Sequence, residues 1–262
     1  MMRIVSLVLL GVVVFAVSLV MTLPAGHAWR WAGDSIPAQA YGLHGTVWDG
    51  GASGVIVEGH RLDRVRWTME PRGLLSGELR YRLHAHLDDG EVRGIANADR
   101  RGGLRLEQLR FDADAADLVA RFAAQPPPVG VMGRIDGIFS ELAIDSHGTP
   151  TRIDGIINWS NGGITFGEDY PLGDYAVRLE TGAEGIDGEV ATLDATLRVD
   201  GSFRLHPGGR VAGEVIYQAL DGLHPDVVQG LQFLGIPDPH AENRIRFDGN
   251  INNPAGFQGH LQ

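Results

Sequence analysis

Gly77-Glu78-Leu79-Arg80-Tyr81-Arg82-Leu83-His84-Ala85-His86-Leu87 is the stretch that decides how the chain is read. Leu79, Tyr81, Leu83, Ala85 and Leu87 fall on one side of it. Glu78, Arg80, Arg82, His84 and His86 fall on the other. A period of two sustained over this length is a β-strand with one dry and one wet face. Much of the chain repeats the pattern. The expected fold is all-β, mainly antiparallel, with a curved or groove-like sheet, one N-terminal transmembrane helix and one or two short helices.

Upstream of this strand, Gly54 to Glu58 is a short apolar run. Arg64 to Met69 alternates with Val65, Trp67 and Met69 inward. Pro71 and Gly73 turn the chain between the two strands. Downstream, Gly90 and Gly94 punctuate a weaker strand. Leu104, Leu106, Leu109 and Phe111 mark another, with a shift of face at Gln108. Asp112 to Ala124 reads as a short helix, because Ala115, Leu118 and Phe122 share a face, and Pro126-Pro127-Pro128 stops it. That proline run is the best boundary between two halves meeting near 125–130.

The second half resumes the alternation in Ile135, Gly137 and Phe139, then Leu142 and Ile144. Ile153 to Trp159 is a strand after the Gly148-Thr149-Pro150 turn, and Tyr175, Val177 and Leu179 lie on another. Asn161-Gly162-Gly163 and Asp200-Gly201 both read as turns. Leu193, Ala195, Leu197 and Val199 read as one face of a single strand. Asp200-Gly201 would lead from it into Phe203 and Leu205. Val211, Gly213, Val215 and Tyr217 make a further strand. Pro225 to Leu234 is a helix ended by Gly235 and Pro237. Ile245 and Phe247 form a last strand before a polar tail.

The chain has 262 residues, 22 Lys plus Arg against 33 Asp plus Glu, and no cysteine. A net charge of -11 repels phosphate, so nucleic acid is not an expected partner. Without cysteine there are no disulfides, zinc–thiolate sites or thiol nucleophiles. Ile4 to Met21 carries no charge, and with Thr22 and Leu23 it is long enough to cross a bilayer core. Arg3 before it places residues 1–3 in the cytoplasm as a stub and 4–23 in the membrane. A link at 24–40 and a β-rich domain at 41–262 then lie beyond the membrane. A cleaved signal peptide, with Gly26 and Ala28 at the small-residue positions, is the rival reading. The length of the apolar run favours a retained anchor. Trp29 and Trp31 either sit at the membrane interface or pack on the first strands.

The residues assemble no recognisable catalytic or cofactor chemistry. No serine stands in a Gly-x-Ser-x-Gly elbow, and Ser53 has Val55 where glycine is required. No phosphate loop or dinucleotide fingerprint appears. His84 and His86 share a strand face, but the sequence places no third ligand beside them. The expectation is a protein that is not an enzyme and holds no cofactor or metal. Its candidate structural or partner surface is Trp48, Trp67, Leu79, Tyr81 and Leu83. The apolar sheet face is either closed by its own fold and helices or left open as a groove for acyl chains or a docking strand.

Four segments carry a family resemblance. The first is Gly42-Leu43-His44-Gly45-Thr46-Val47-Trp48-Asp49-Gly50, and the second is Trp67-Thr68-Met69-Glu70-Pro71 with Leu74, Leu75 and Gly77. The third is Gly155-Ile156-Ile157-Asn158-Trp159 with Pro171-Leu172-Gly173-Asp174-Tyr175, and the last is Leu234-Gly235-Ile236-Pro237-Asp238. In this order, behind a short apolar segment, they resemble protein N of the bacterial type II secretion system. One departure is that Pro239, His240 and Ala241 follow where that family would place a glycine. The resemblance implies a single-pass inner-membrane protein of the Gram-negative envelope, with its bulk in the periplasm. It implies an accessory part in exporting folded proteins across the outer membrane. Its partners would be other inner-membrane components of that system, and membrane lipid through the anchor. More remotely the chain resembles anchored β-groove proteins of the AsmA type, which implies acyl chains as an alternative ligand.

A retained anchor has a direct check. N-terminal sequencing of the mature protein is expected to begin upstream of Trp29, whereas a mature chain starting at Trp29 would show cleavage after Ala28.

Overall fold

A computed structural model describes residues 20–32, 38–57, 60–71, 73, 78–87, 89–98, 103–122, 129–146, 149–233, 238–250 and 253–261. Residues 4–19 of the expected anchor, the proline run at 126–128 and the helix stop at 235–237 lie outside them. Among the described residues no helix is long and apolar enough to cross a membrane. The chain divides into two compact units, one ending at Leu87 and the other running from Asp88 to Gln262.

The N-terminal unit contains α1 (Ala25–Ala32), β1 (Ala38–Tyr41), β2 (His44–Gly45), β3 (Asp49–Val57), β4 (His60–Met69) and β5 (Leu79–Leu87). The pairings β1–β3, β2–β3, β3–β4 and β4–β5 are all antiparallel. The alternation of β4 is kept: Arg64, Arg66 and Thr68 are exposed, Val65 and Trp67 half-buried, and Met69 buried. On β5, Ala85 and Leu87 are buried, and Tyr81 and Leu83 half-buried. Leu79 departs from the expected dry face and is 48% exposed. The register ends at Met69↔Tyr81, so Leu79 projects past the last residue of β4. The link at 24–40 contains α1 and most of β1.

The C-terminal unit is an antiparallel meander in which each strand pairs with the next. Its strands are β6 (Gly90–Ala98), β7 (Leu104–Asp114), β8 (Gly130–Ile144), β9 (Pro150–Phe166), β10 (Glu168–Gly182), β11 (Gly185–Ala195), β12 (Leu197–Leu205), β13 (Arg210–Ala219), β14 (Asn243–Asn250) and β15 (Asn253–Leu261). Two helices interrupt them, α2 (Ala115–Phe122) and α3 (Pro225–Phe233). The expected shift of face at Gln108 is a bulge: Gln108 has φ 51°, and the β6 register slips between Arg93 and Ile95.

Several boundaries differ from the sequence reading, each for a local reason. The helix expected from Asp112 begins at Ala115, because β7 runs on to Asp114. The Asp114 carboxylate then accepts from the amides of Ala116 at 2.8 Å and Asp117 at 3.3 Å, as an N-cap does. Asn161-Gly162-Gly163 is no turn. It lies inside the 17-residue β9, where Asn161 takes φ 50° and the register to β8 slips between Met132 and Arg134. Asp200-Gly201 lies inside β12, and the hairpin turns at Thr196 instead. Leu193 to Val199 is therefore two strand ends, not one strand. The polar tail is the strand β15, in register with β14 from Ile245↔Leu261 to Asn250↔Asn253.

The tightest core of this unit lies where α3 covers the sheet. Tyr170, Leu172, Tyr175, Ala219, Leu223 and Val227 are buried together, and Trp159, Leu197, Val228 and Leu231 pack around them. Trp159 and Tyr175 are cross-strand partners with ring centres 5.6 Å apart. The Trp159 indole donates to the Met132 carbonyl at 3.0 Å and the Tyr175 hydroxyl to Leu197 O at 2.7 Å. Burial pushes the Tyr175 hydroxyl up to about 12. Further along, α2 packs on β7 and β8, and Phe111 stacks with Phe139 at 6.2 Å. The Phe111 ring lies against Gly137, where any Cβ would overlap it.

Two glycines therefore have opposite expected responses to alanine. Gly137→Ala is expected to destabilise the protein by about 1–3 kcal/mol through overpacking against Phe111. Gly230→Ala, in the interior of α3 with nothing within 4 Å of the added methyl, is expected to stabilise it by about 0.5–1 kcal/mol. Urea unfolding of both variants checks the pair, and a stable Gly137→Ala protein would refute the ring contact.

Candidate functional site

The N-terminal unit carries an apolar cleft of about 400 Å³. One wall is α1, through Ala25, Ala28 and Trp29. The floor is the sheet, through Val55 of β3, Val65 and Trp67 of β4, and Tyr81 and Leu83 of β5. These sheet residues meet because the pairing sets Trp67 opposite Leu83 and Met69 opposite Tyr81. Leu43 and Val47, beside β2, close the rim. The helix contributes positions i, i+3 and i+4, the spacing of one helical face.

Trp67, Tyr81 and Leu83 thus come together in the cleft. Trp48 stands beside it with a different task. Its indole N–H donates to the Val20 carbonyl at 2.7 Å. The Val47 amide donates to Leu23 O at 3.0 Å, and Pro24 bridges Thr46. Together these bonds fasten the chain, at the end of the apolar run, to the loop before β3. Leu79 is not part of the cleft lining. The indole of Trp67 donates to Thr46 O at 3.1 Å.

The local sequence explains this loop. Gly45 takes φ 77°, and a Cβ there would stand 2.6 Å from Asp49 O. The Thr46 hydroxyl accepts from the amides of Trp48 at 3.2 Å and Asp49 at 3.1 Å. Gly50 lies under the Trp67 ring, where a Cβ would stand 2.9 Å from Cζ2. The Gly-Thr-x-Trp-x-Gly segment is therefore a turn that positions two indoles. Sequence reasoning missed α1 as the wall of the cleft. It missed Thr46 and Val47 too, whose part shows only once Val20 to Pro24 are seen against them.

Charge is gathered elsewhere. Glu70, after β4, accepts from Arg80 at 2.8 Å and Arg82 at 2.7 Å. Burial works to raise the Glu70 pKa, but the hydrogen bonds and charges of Arg80 and Arg82 outweigh it and hold the carboxyl below its ordinary range. In the C-terminal unit, the polar face of β10 to β14 forms a concavity of about 840 Å³ with Arg178, Glu180, Asp187, Arg204, Glu214 and Arg246 among its walls. Arg204 pairs with Asp187 at 2.5 Å, and Arg246 with Glu214 at 3.5 Å. Exposed pairs of this kind add little to stability, which marks a solvated face. The His84 and His86 rings lie 4.8 Å apart. Among the described residues no group of three or more His, Asp or Glu is placed to hold a metal.

Fold and site together define an antiparallel β-sheet protein whose distinctive surface is an apolar cleft beside the point where the chain joins the sheet. The chain belongs to the type II secretion system protein N family, whose sequence profile matches residues 37–246. No protein of curated function and no solved structure shows a match to the chain. Membership implies an accessory role in type II secretion and association with the cell envelope. The matched span begins just before β1 and ends within β14, so α1 lies outside it.

The two indoles separate into different expected costs. Trp67→Ala is expected to cost about 3 kcal/mol, the low end for truncating a packed aromatic, because Trp67 is only half-buried. Trp48→Phe keeps the ring, loses the bond to Val20 and is expected to cost about 1 kcal/mol. Thermal unfolding of the two variants measures the difference. Equal costs would show that the packing of Trp67 is worth no more than the bond to Val20.

Proposed function

We propose that the protein is an inner-membrane accessory of the type II secretion system that assists export of folded proteins from the periplasm across the outer membrane. The observation that carries this reading is the family match over residues 37–246. In this reading residues 4–23 span the membrane once, and the β-rich remainder lies in the periplasm. Its partners are other inner-membrane proteins of the system, engaged by an apolar side chain of the partner seated among Trp67, Tyr81 and Leu83. Trp48 holds the rim in place, and Leu79 adds exposed apolar surface at the end of β5. No cofactor or catalytic step is invoked.

A second reading keeps the same cleft and fills it with a lipid acyl chain. The all-apolar character of the side chains that line it favours this reading. Native mass spectrometry of the full chain in detergent discriminates the two, since phospholipid retained at fixed stoichiometry and lost with Tyr81→Arg supports the acyl reading. For the proposed reading, Tyr81→Arg in a secretion-competent cell is expected to leave the protein abundant and to lower secretion. Crosslinks to the other inner-membrane components are expected to fall in parallel. An abundant variant with unchanged secretion and crosslinks would overturn the cleft as the partner site.

A further inference from the structure

The helix α1 has two faces with opposite chemistry. Ala25, Ala28 and Trp29 face the cleft. His27, Arg30 and Trp31, again at i, i+3 and i+4, are exposed. Trp31 is 76% exposed, a costly setting for an indole in water. Val20 and Met21, where the uncharged run from Ile4 ends, are also open, at 51% and 59%. Val20 and Met21 are helical, and Trp48, Val47 and Thr46 hold residues 20–24 against the sheet. The exposed face of α1 therefore lies within ten residues of the end of the apolar run.

From this placement we infer that the outer face of α1 is seated in the headgroup layer of an anionic bilayer. The inference rests on the reading of residues 4–23 as a retained anchor. Trp31 would lie at the interface, where an indole buries its ring and keeps its N–H wet. Arg30 would pair with lipid phosphate. Charge supports a lipid surface over an acidic protein surface in water. The chain as a whole carries -11, yet residues 20–32 contain Arg30 and no acid. A patch free of acids, beside an apolar run on an acidic chain, is a surface that an anionic membrane does not repel. Seating α1 in this way fixes the height and tilt of the cleft above the membrane.

The test uses the full chain reconstituted in phosphatidylglycerol–phosphatidylcholine vesicles whose lipids carry bromine on the upper acyl carbons. Bromine quenches only indoles that touch it. Quenching of tryptophan emission is expected, with most of it lost in Trp31→Phe and none lost in Trp159→Phe, whose indole lies in the core beneath α3. Vesicle flotation is run on the same samples. Protein that floats but keeps its quenching in Trp31→Phe overturns the seating of α1 and leaves the anchor standing. Protein that does not float overturns the anchor and the seating together.

Discussion

An antiparallel sheet with one dry face must have that face covered, and the rest of each unit is arranged around this need. Burying apolar area stabilises by roughly 25 cal/mol per Å², so an uncovered face of many strands forfeits much of the driving force for folding. In the C-terminal unit α3 meets the need, drawing Tyr170, Leu172 and Tyr175 into one core with Val227. In the N-terminal unit α1 covers the sheet incompletely, and the gap is the cleft. The same constraint that yields a core under α3 yields an open cleft under α1. The difference lies in the side chains, since α3 brings Val227, Val228 and Leu231 to its sheet. Two alanines and one tryptophan on an eight-residue helix cannot fill the space above Val65, Trp67 and Leu83.

The strands were legible because alternation is a direct consequence of two-faced sheets, and β4, β5 and β13 announce themselves that way. The turns were less so, because turn residues and turns are not the same thing. Asn161-Gly162 has hairpin chemistry, but its positive φ serves a bulge opposite Gly133, itself at φ 105°. Gly201 is in β12 for clearance: a Cβ there would stand 2.5 Å from Glu214 O. The real reversal at Thr196 has no glycine or proline. Long-range bonds hold it instead, from Thr196 N to Leu172 O at 2.7 Å and from Leu220 N to Thr196 O at 2.8 Å. Local propensity cannot display a turn that is made by tertiary partners. The strand β15 was hidden similarly, because Asn253 to Leu261 has no sustained alternation and its pairing with β14 defines it.

Of the candidate site, the sheet residues were readable and the helix was not. Trp67, Tyr81 and Leu83 share a face that the alternation predicts. The segment Ala25 to Ala32 opens on small residues with Gly26 among them, offers no acidic first turn, and is short for a helix that must stand alone. Its structure depends on the sheet it packs against. Leu79 is exposed because alternation assigns a face but not a neighbour, and β4 ends two residues short of the position opposite it.

The short loop from Thr46 to Asp49 joins what would otherwise be three separate features. Through Trp48 and Val47 it holds the chain at Val20 and Leu23. Through the Thr46 carbonyl it holds the Trp67 indole that floors the cleft. Through the bridge to Pro24 it sets where α1 begins. Each bond contributes about 0.5–1.5 kcal/mol net, so none is decisive alone. They are not independent, however. Thr46 holds Trp67 on one side and Pro24 on the other, and Val47 holds Leu23. The floor of the cleft and the point where the chain joins the sheet are thus bonded to the same short loop. An apolar cleft elsewhere on the sheet would lack that connection.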